Sequence, residues 1–144
     1  MELVTKYHGV REYNDEDVIV FKKGLPGFEE LKNYIIFPLE NNEVFSILHS
    51  IEAKEVGLIL VSPFSTLADY EFKIPDNDIK ELQIAKPEEV LVLTTVTLSS
   101  NIENMTTNLK APIIINIKQK LGEQLILDTE KYKIKQPLFN KSNN

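Results

Sequence analysis

From residue 3 to residue 135 the apolar side chains fall in short β-branched and aromatic runs, each broken by Asn, Asp, Gly or Pro. That rhythm suits strands and leaves little room for long helices. Candidate strands are 3–7, 17–21, 34–38, 45–50, 57–61, 71–74, 89–98, 108–110, 112–116, 124–128 and 133–135. The runs at 17–21 and 113–115 are nearly continuous and predict strands buried on both faces. Segment 90–98 alternates instead, which fits one buried and one half-buried face. Helix signals are few. Asp76 reads as an N-cap, with Ile79 and Leu82 at i, i+3, and predicts a short helix over 76–82. Single turns fit 29–32, 87–89 and 100–106. A turn at 120–123 would join the Ile113 and Leu125 strands as a hairpin. The pattern is all-β, a barrel or a sandwich.

Phe21 to Phe28 reads FKKGLPGF. Pro26 fixes φ, and Gly24 and Gly27 tolerate φ > 0. Leu-Pro-Gly fits a type II turn with Gly27 at its third position. Apolar Phe21, Leu25 and Phe28 pin that turn to a core or present an apolar patch.

The 144 residues suit one domain with its own core. No cysteine is present, so no disulfide framework, thiolate zinc site or cysteine nucleophile is available. No signal peptide is legible at the N-terminus and no apolar run would span a bilayer, so a cytoplasmic protein is expected. The net charge of −6 is uneven. Residues 1–109 carry nine Lys or Arg against nineteen Asp or Glu, and residues 110–144 carry seven against three. An acidic body repels phosphate and steers a basic partner, so direct nucleic-acid binding is not expected.

Candidate chemistry is sparse. His8 and His49 are single histidines in strand-like contexts and read as ordinary surface or core residues. Asp76-Asn77-Asp78 lacks the sixth-position glycine and closing glutamate of a calcium loop. Asp69 and Glu71 would share one strand face, and paired carboxylates serve acid–base work only if their environments differ. No nucleophile elbow or phosphate loop accompanies them. Neither an enzyme nor a cofactor is expected. Phe28, Phe64, Tyr70 and Phe72 are aromatics near turns or carboxylates, a composition favoured in interface cores but also in barrel interiors. Tyr70 points away from Asp69 and Glu71, and its hydroxyl needs a partner if buried. Asn108 and Pro112 read as turn chemistry.

Four segments recur in order after the Leu-Pro-Gly turn. They are Ser62-Pro63-Phe64 with Asp69-Tyr70-Glu71-Phe72, then Pro87 to Leu93, then Asn108-Leu109-Lys110-Ala111-Pro112-Ile113 with Asn116, and last Leu127-Asp128, Tyr132 and Pro137-Leu138. In this order and length the set resembles the FliW family of flagellar assembly factors over residues 1–138, leaving a short polar tail at 139–144. The resemblance implies a compact, β-barrel-like all-β fold of many short antiparallel strands with one or two helical turns, and no enzymatic activity. It implies two protein partners, unassembled flagellin and the RNA-binding translational repressor CsrA, which exclude each other. Secreting flagellin would then free the protein to bind CsrA and release flagellin mRNA. Candidate partner-binding residues are the carboxylates Glu12, Asp15, Glu16 and Asp17, the carboxylates Asp69, Glu71, Asp76 and Asp78, and the aromatics Phe64 and Tyr70. A monomer is expected when free, since nothing signals self-association. A flagellin-only chaperone, a β module with unrelated partners and a carboxylate-dependent hydrolase are the competing readings.

Overall fold

The computed structural model describes residues 1–42 and 44–139. Its strands are β1 (Glu2–Val4), β2 (Val10–Glu12), β3 (Ile19–Val20), β4 (Asn33–Pro38), β5 (Ser46–Ser50), β6 (Gly57–Val61), β7 (Val90–Thr97), β8 (Thr106–Thr107), β9 (Ile113–Asn116), β10 (Leu121–Gln124) and β11 (Gln136–Pro137). The helices are α1 (Pro63–Thr66) and α2 (Asp76–Glu81). Seven strands close a barrel in the order β7-β6-β5-β4-β3-β10-β9, with β9 pairing back onto β7. β8 and β11 extend the sheet beyond β7, and β1 with β2 forms a separate antiparallel ribbon. One pairing departs from the expected antiparallel pattern: β3 and β10 run parallel at Leu121 and Val20.

The barrel is filled by Ile19, Phe21, Leu25, Tyr34, Leu48, Leu60, Leu93, Ile113 and Ile115. Phe21 is fully buried and meets the Tyr34 ring edge-on at 5.2 Å. Burying a ring of this size contributes about 1.5–3 kcal/mol. Ile113, Ile114 and Ile115 are all buried, as their continuous run predicts: alternate residues face the barrel and a second cluster around Leu82 and Leu125. Asn116 ends this strand fully buried. Its Nδ2 donates to Leu82 O at 2.8 Å and to Gln83 O at 3.1 Å, so it ties the end of α2 to the barrel.

The Leu25–Phe28 turn forms as expected. Phe28 N donates to Leu25 O at 2.8 Å, and Gly27 has φ +88°. Gly24 has φ +68° and approaches the next segment so closely that a Cβ there would lie 2.5 Å from Glu29 O.

Several expectations are corrected. The first strand stops at Val4, because the Thr5 hydroxyl bonds Gly9 O and turns the chain back into β2, a strand the pattern did not reveal. Asp15–Asp17 is a 3-10 turn, in which Asp17 Oδ2 accepts from Asn14 N, so only Ile19–Val20 remains of the 17–21 strand. Residues 71–74 and 108–110 lie outside the strands. The hairpin after Ile113 exists, but its turn lies at 117–120 and its second strand is Leu121–Gln124. The strand predicted at 133–135 falls instead at Gln136–Pro137. Asp76 is the first helical residue, and Pro75 takes the N-cap position without a side-chain bond. The single turn at 87–89 forms, and a 3-10 turn at Ile102–Asn104 falls within 100–106. The tail from residue 140 lies outside the described residues.

Candidate functional site

β6 ends where Ser62-Pro63 begins. Pro63 opens α1, and Phe64 is thrown outward, 46% exposed, so of the two readings left open for it the barrel interior is the one that fails. The chain then turns, and Tyr70 goes inward. Tyr70 is buried and its hydroxyl donates to Leu109 O at 2.8 Å. Burial, and secondarily the nearby Tyr132, push its phenol well above the usual range. Asp69 and Glu71 both stay at the surface, yet no strand places them on one face.

Leu109 reaches Tyr70 because Asn108 to Pro112 interrupts what would be one strand made of β8 and β9. Asn108 Oδ1 accepts from Lys110 N at 3.0 Å, which turns the chain and drives Leu109 into full burial. Leu109 N donates to Lys133 O, and this brings in Tyr132. The Tyr70 and Tyr132 rings lie 4.6 Å apart, with Phe72 at 5.6 Å and Phe64 at 5.8 Å from Tyr70. Four sequence segments thus converge on one aromatic cluster. Tyr132 was visible in the sequence only as part of the ordered set.

Beside this cluster lies an open groove of about 510 Å³, lined by Phe64, Phe72, Ile74, Val90 and Val92 among others. Glu71 is the charged residue of its lining, with a side chain 82% exposed and 4.0 Å from Lys131 Nζ. An apolar floor with an exposed aromatic and a carboxylate at the rim suits a protein ligand.

The other candidates lie elsewhere. Glu12, Asp15, Glu16 and Asp17 are exposed, and Glu12 and Asp17 flank a different hollow with Arg11 and Lys120. Asp76 is exposed at the start of α2. Asp78 joins Glu81 and Glu123, whose carboxylates lie within 4.8 Å of one another. Lys23 of the FKKGLPGF segment sits on this group, 3.0 Å from Glu81, 3.9 Å from Glu123 and 4.0 Å from Asp78. Burial pushes the Glu123 carboxyl up to about 7, helped by its hydrogen bond with Asp78 and the Asp78 charge and opposed by Lys23. No sequence signal marks Glu123. His49 is buried with Nδ1 2.8 Å from Ser50 O, and His8 meets its ring edge-on at 6.2 Å.

Among the described residues no helix is long and apolar enough to cross a membrane. The family described as FliW protein matches residues 2–138. A flagellar assembly factor FliW of Clostridium novyi (strain NT) is 61% identical over 139 residues, covering 96% of this chain and 97% of the relative. One from Clostridium botulinum (strain Okra / Type B1) is 55% identical with the same coverage. A crystal structure of the flagellar assembly factor FliW superposes with a TM-score of 0.89 at 37% identity, covering 98% of this chain and 99% of that one. A family match over residues 2–138, with relatives more than half identical along nearly the whole chain, means that the chain belongs to the FliW family.

Proposed function

We propose that this chain is a flagellar assembly factor that works by binding proteins in the cytoplasm, without catalysis or cofactor. Its partners in this reading are unassembled flagellin and the repressor CsrA. Flagellin and CsrA exclude each other, so the fall in free flagellin on secretion hands the protein to CsrA and restores flagellin translation. The observation that carries the reading is the whole-length likeness to proteins described as flagellar assembly factors. The structure supplies compatible means. The acidic body favours a basic RNA-binding partner, and the groove beside Phe64 and Glu71 offers an apolar anchor point.

The test is binding of the purified chain to flagellin and to CsrA, separately and together. Linkage requires that flagellin weaken CsrA binding by the same factor as CsrA weakens flagellin binding. Overlapping sites make apparent CsrA affinity fall without limit as flagellin rises, whereas coupling at a distance reaches a plateau. A ternary complex with unchanged affinities overturns the switch. Binding of flagellin alone leaves a flagellin chaperone.

A further inference from the structure

β7 has a free edge, and its position follows from hydrogen-bond parity. Along a strand, the backbone N–H and C=O of successive residues point to opposite sides. Glu89 O accepts from Ile117 N, and Thr95 O accepts from Asn108 N. Residues 89, 91, 93 and 95 therefore face β9 and the segment before it. Val90, Val92 and Thr94 face the other way, toward β6. Thr94 finds Val61 there, and the ladder between β6 and β7 holds only Val61↔Thr94 and Leu60↔Thr95. Continuing β6 would set Pro63 opposite Val92. Proline has no N–H to give, and Pro63 instead opens α1. Val90 N–H is taken by Pro87 O. Among the described residues the N–H and C=O of Val92 and the C=O of Val90 find no strand partner, and they border the groove lined by Phe64, Phe72 and Ile74.

Unpaired strand edges are templates for strand addition and are normally blocked by Pro, by charge or by cover. Val90 and Val92 are neither proline nor charged, and α1, which packs near β7, gives their backbone groups no bond. We propose that this edge takes up an extended segment of a partner protein as an added strand. The segment places an apolar side chain against Phe64 and Phe72 and a Lys or Arg against Glu71. Backbone pairing supplies the general affinity and the two side-chain contacts supply selection. Glu71 favours a basic residue: its carboxylate is exposed, and its pair with Lys131 at 4.0 Å is a weak surface contact that a ligand cation can replace. The proposal names a site for the partner binding proposed above and rests on that reading for the identity of the partner.

Amide hydrogen exchange on the full chain tests it. In the free protein the Val92 amide should exchange well ahead of those of Leu91 and Leu93, which pair with β9. Purified flagellin and CsrA are then added separately. Binding of at least one should slow Val92 exchange by roughly tenfold or more, as for an amide entering a ladder. A second arm uses a short acetylated peptide of alternating Lys and Val, its N-methylated form and its Glu-for-Lys form. The first should shift the Val92 amide resonance, and the other two should not. Glu71→Lys should abolish the response to the Lys peptide without altering Leu91 and Leu93 protection. The proposal is overturned if both proteins bind while Val92 stays open, or if the N-methylated peptide acts like its parent. It is also overturned if Val92 is protected at rising concentration of the chain alone, since a second copy would then occupy the edge. Failure of both flagellin and CsrA to bind defeats the functional reading, and the peptide arm still decides the edge.

Discussion

The Tyr132 hydroxyl holds both backbone groups of Glu71: it accepts from Glu71 N and donates to Glu71 O, each at 2.9 Å. Residues 61 positions apart are thereby locked at the rim of the groove. Tyr132→Phe leaves both groups unpaired. It should destabilise the fold by about 1–3 kcal/mol, the cost of unsatisfied polar groups. Tyr70→Phe, which frees Leu109 O, should cost a similar amount. Because the two rings touch, the double variant should depart from the sum of the singles in a denaturant series.

Tyr34 makes the opposite case. Its ring fills the barrel, but its buried hydroxyl has no partner among the described residues. Burial first, then the Glu52 and Glu30 charges, raise its phenol to about 12. Tyr34→Phe keeps the packing and removes the unpaired group, so it should be neutral or stabilising by up to about 2 kcal/mol. A clear drop in melting temperature would show that the hydroxyl has a partner in solution.

Gly24 and Gly27 should differ on mutation to alanine. At Gly27 a Cβ meets nothing within 4 Å, so only the positive φ resists, at a cost of about 1 kcal/mol. At Gly24 a positive φ combines with a backbone clash against Glu29. Gly24→Ala should therefore be the more destabilising, and equal melting temperatures would refute the geometry of the segment.

Glu123 should make stability pH-dependent. Its folded pKa of about 7 lies above the unfolded value, because burial and Asp78 disfavour its ionised form. The folded state therefore binds the extra proton, and stability falls as pH rises from the unfolded pKa through about 7. Glu123→Gln, which retains a donor toward Asp78, should raise the melting temperature at pH 8 relative to wild type and change it little near pH 4. Equal gains at both values would mean that Glu123 does not titrate in this way.

The surface carboxylates should act on partner association through rate and salt. Neutralising Glu12, Asp15 and Glu16 should slow association with a basic partner at low salt and leave it nearly unchanged at high salt. Asp17 is a poor choice for this test, because its carboxylate also caps Asn14 N. Stopped-flow association rates across ionic strength check the expectation.

Much of the fold is legible in short patterns. The continuous Ile113–Ile115 run announces a strand buried on both faces, and Leu-Pro-Gly announces its own turn, because both depend on neighbours within a few residues. Segment 71–74 shows where such reading misleads. Glu71-Phe72-Lys73-Ile74 alternates as a strand would, but the alternation is satisfied by Phe72 and Ile74 packing into apolar clusters without any ladder.

The sequence alone determined a β-rich chain, its tight turns and a charge imbalance, since propensity, backbone freedom and formal charge are local properties. Only the tertiary structure decided what those residues can meet. Burial of Glu123 depends on α2 lying over β10, and the aromatic cluster depends on four separate segments closing around Leu109. The open edge at Val92 needs both β9 on one side and the departure of β6 at Pro63 on the other. Pairing between strands far apart in sequence sets each of these, and no local pattern encodes which edge will be left without a partner.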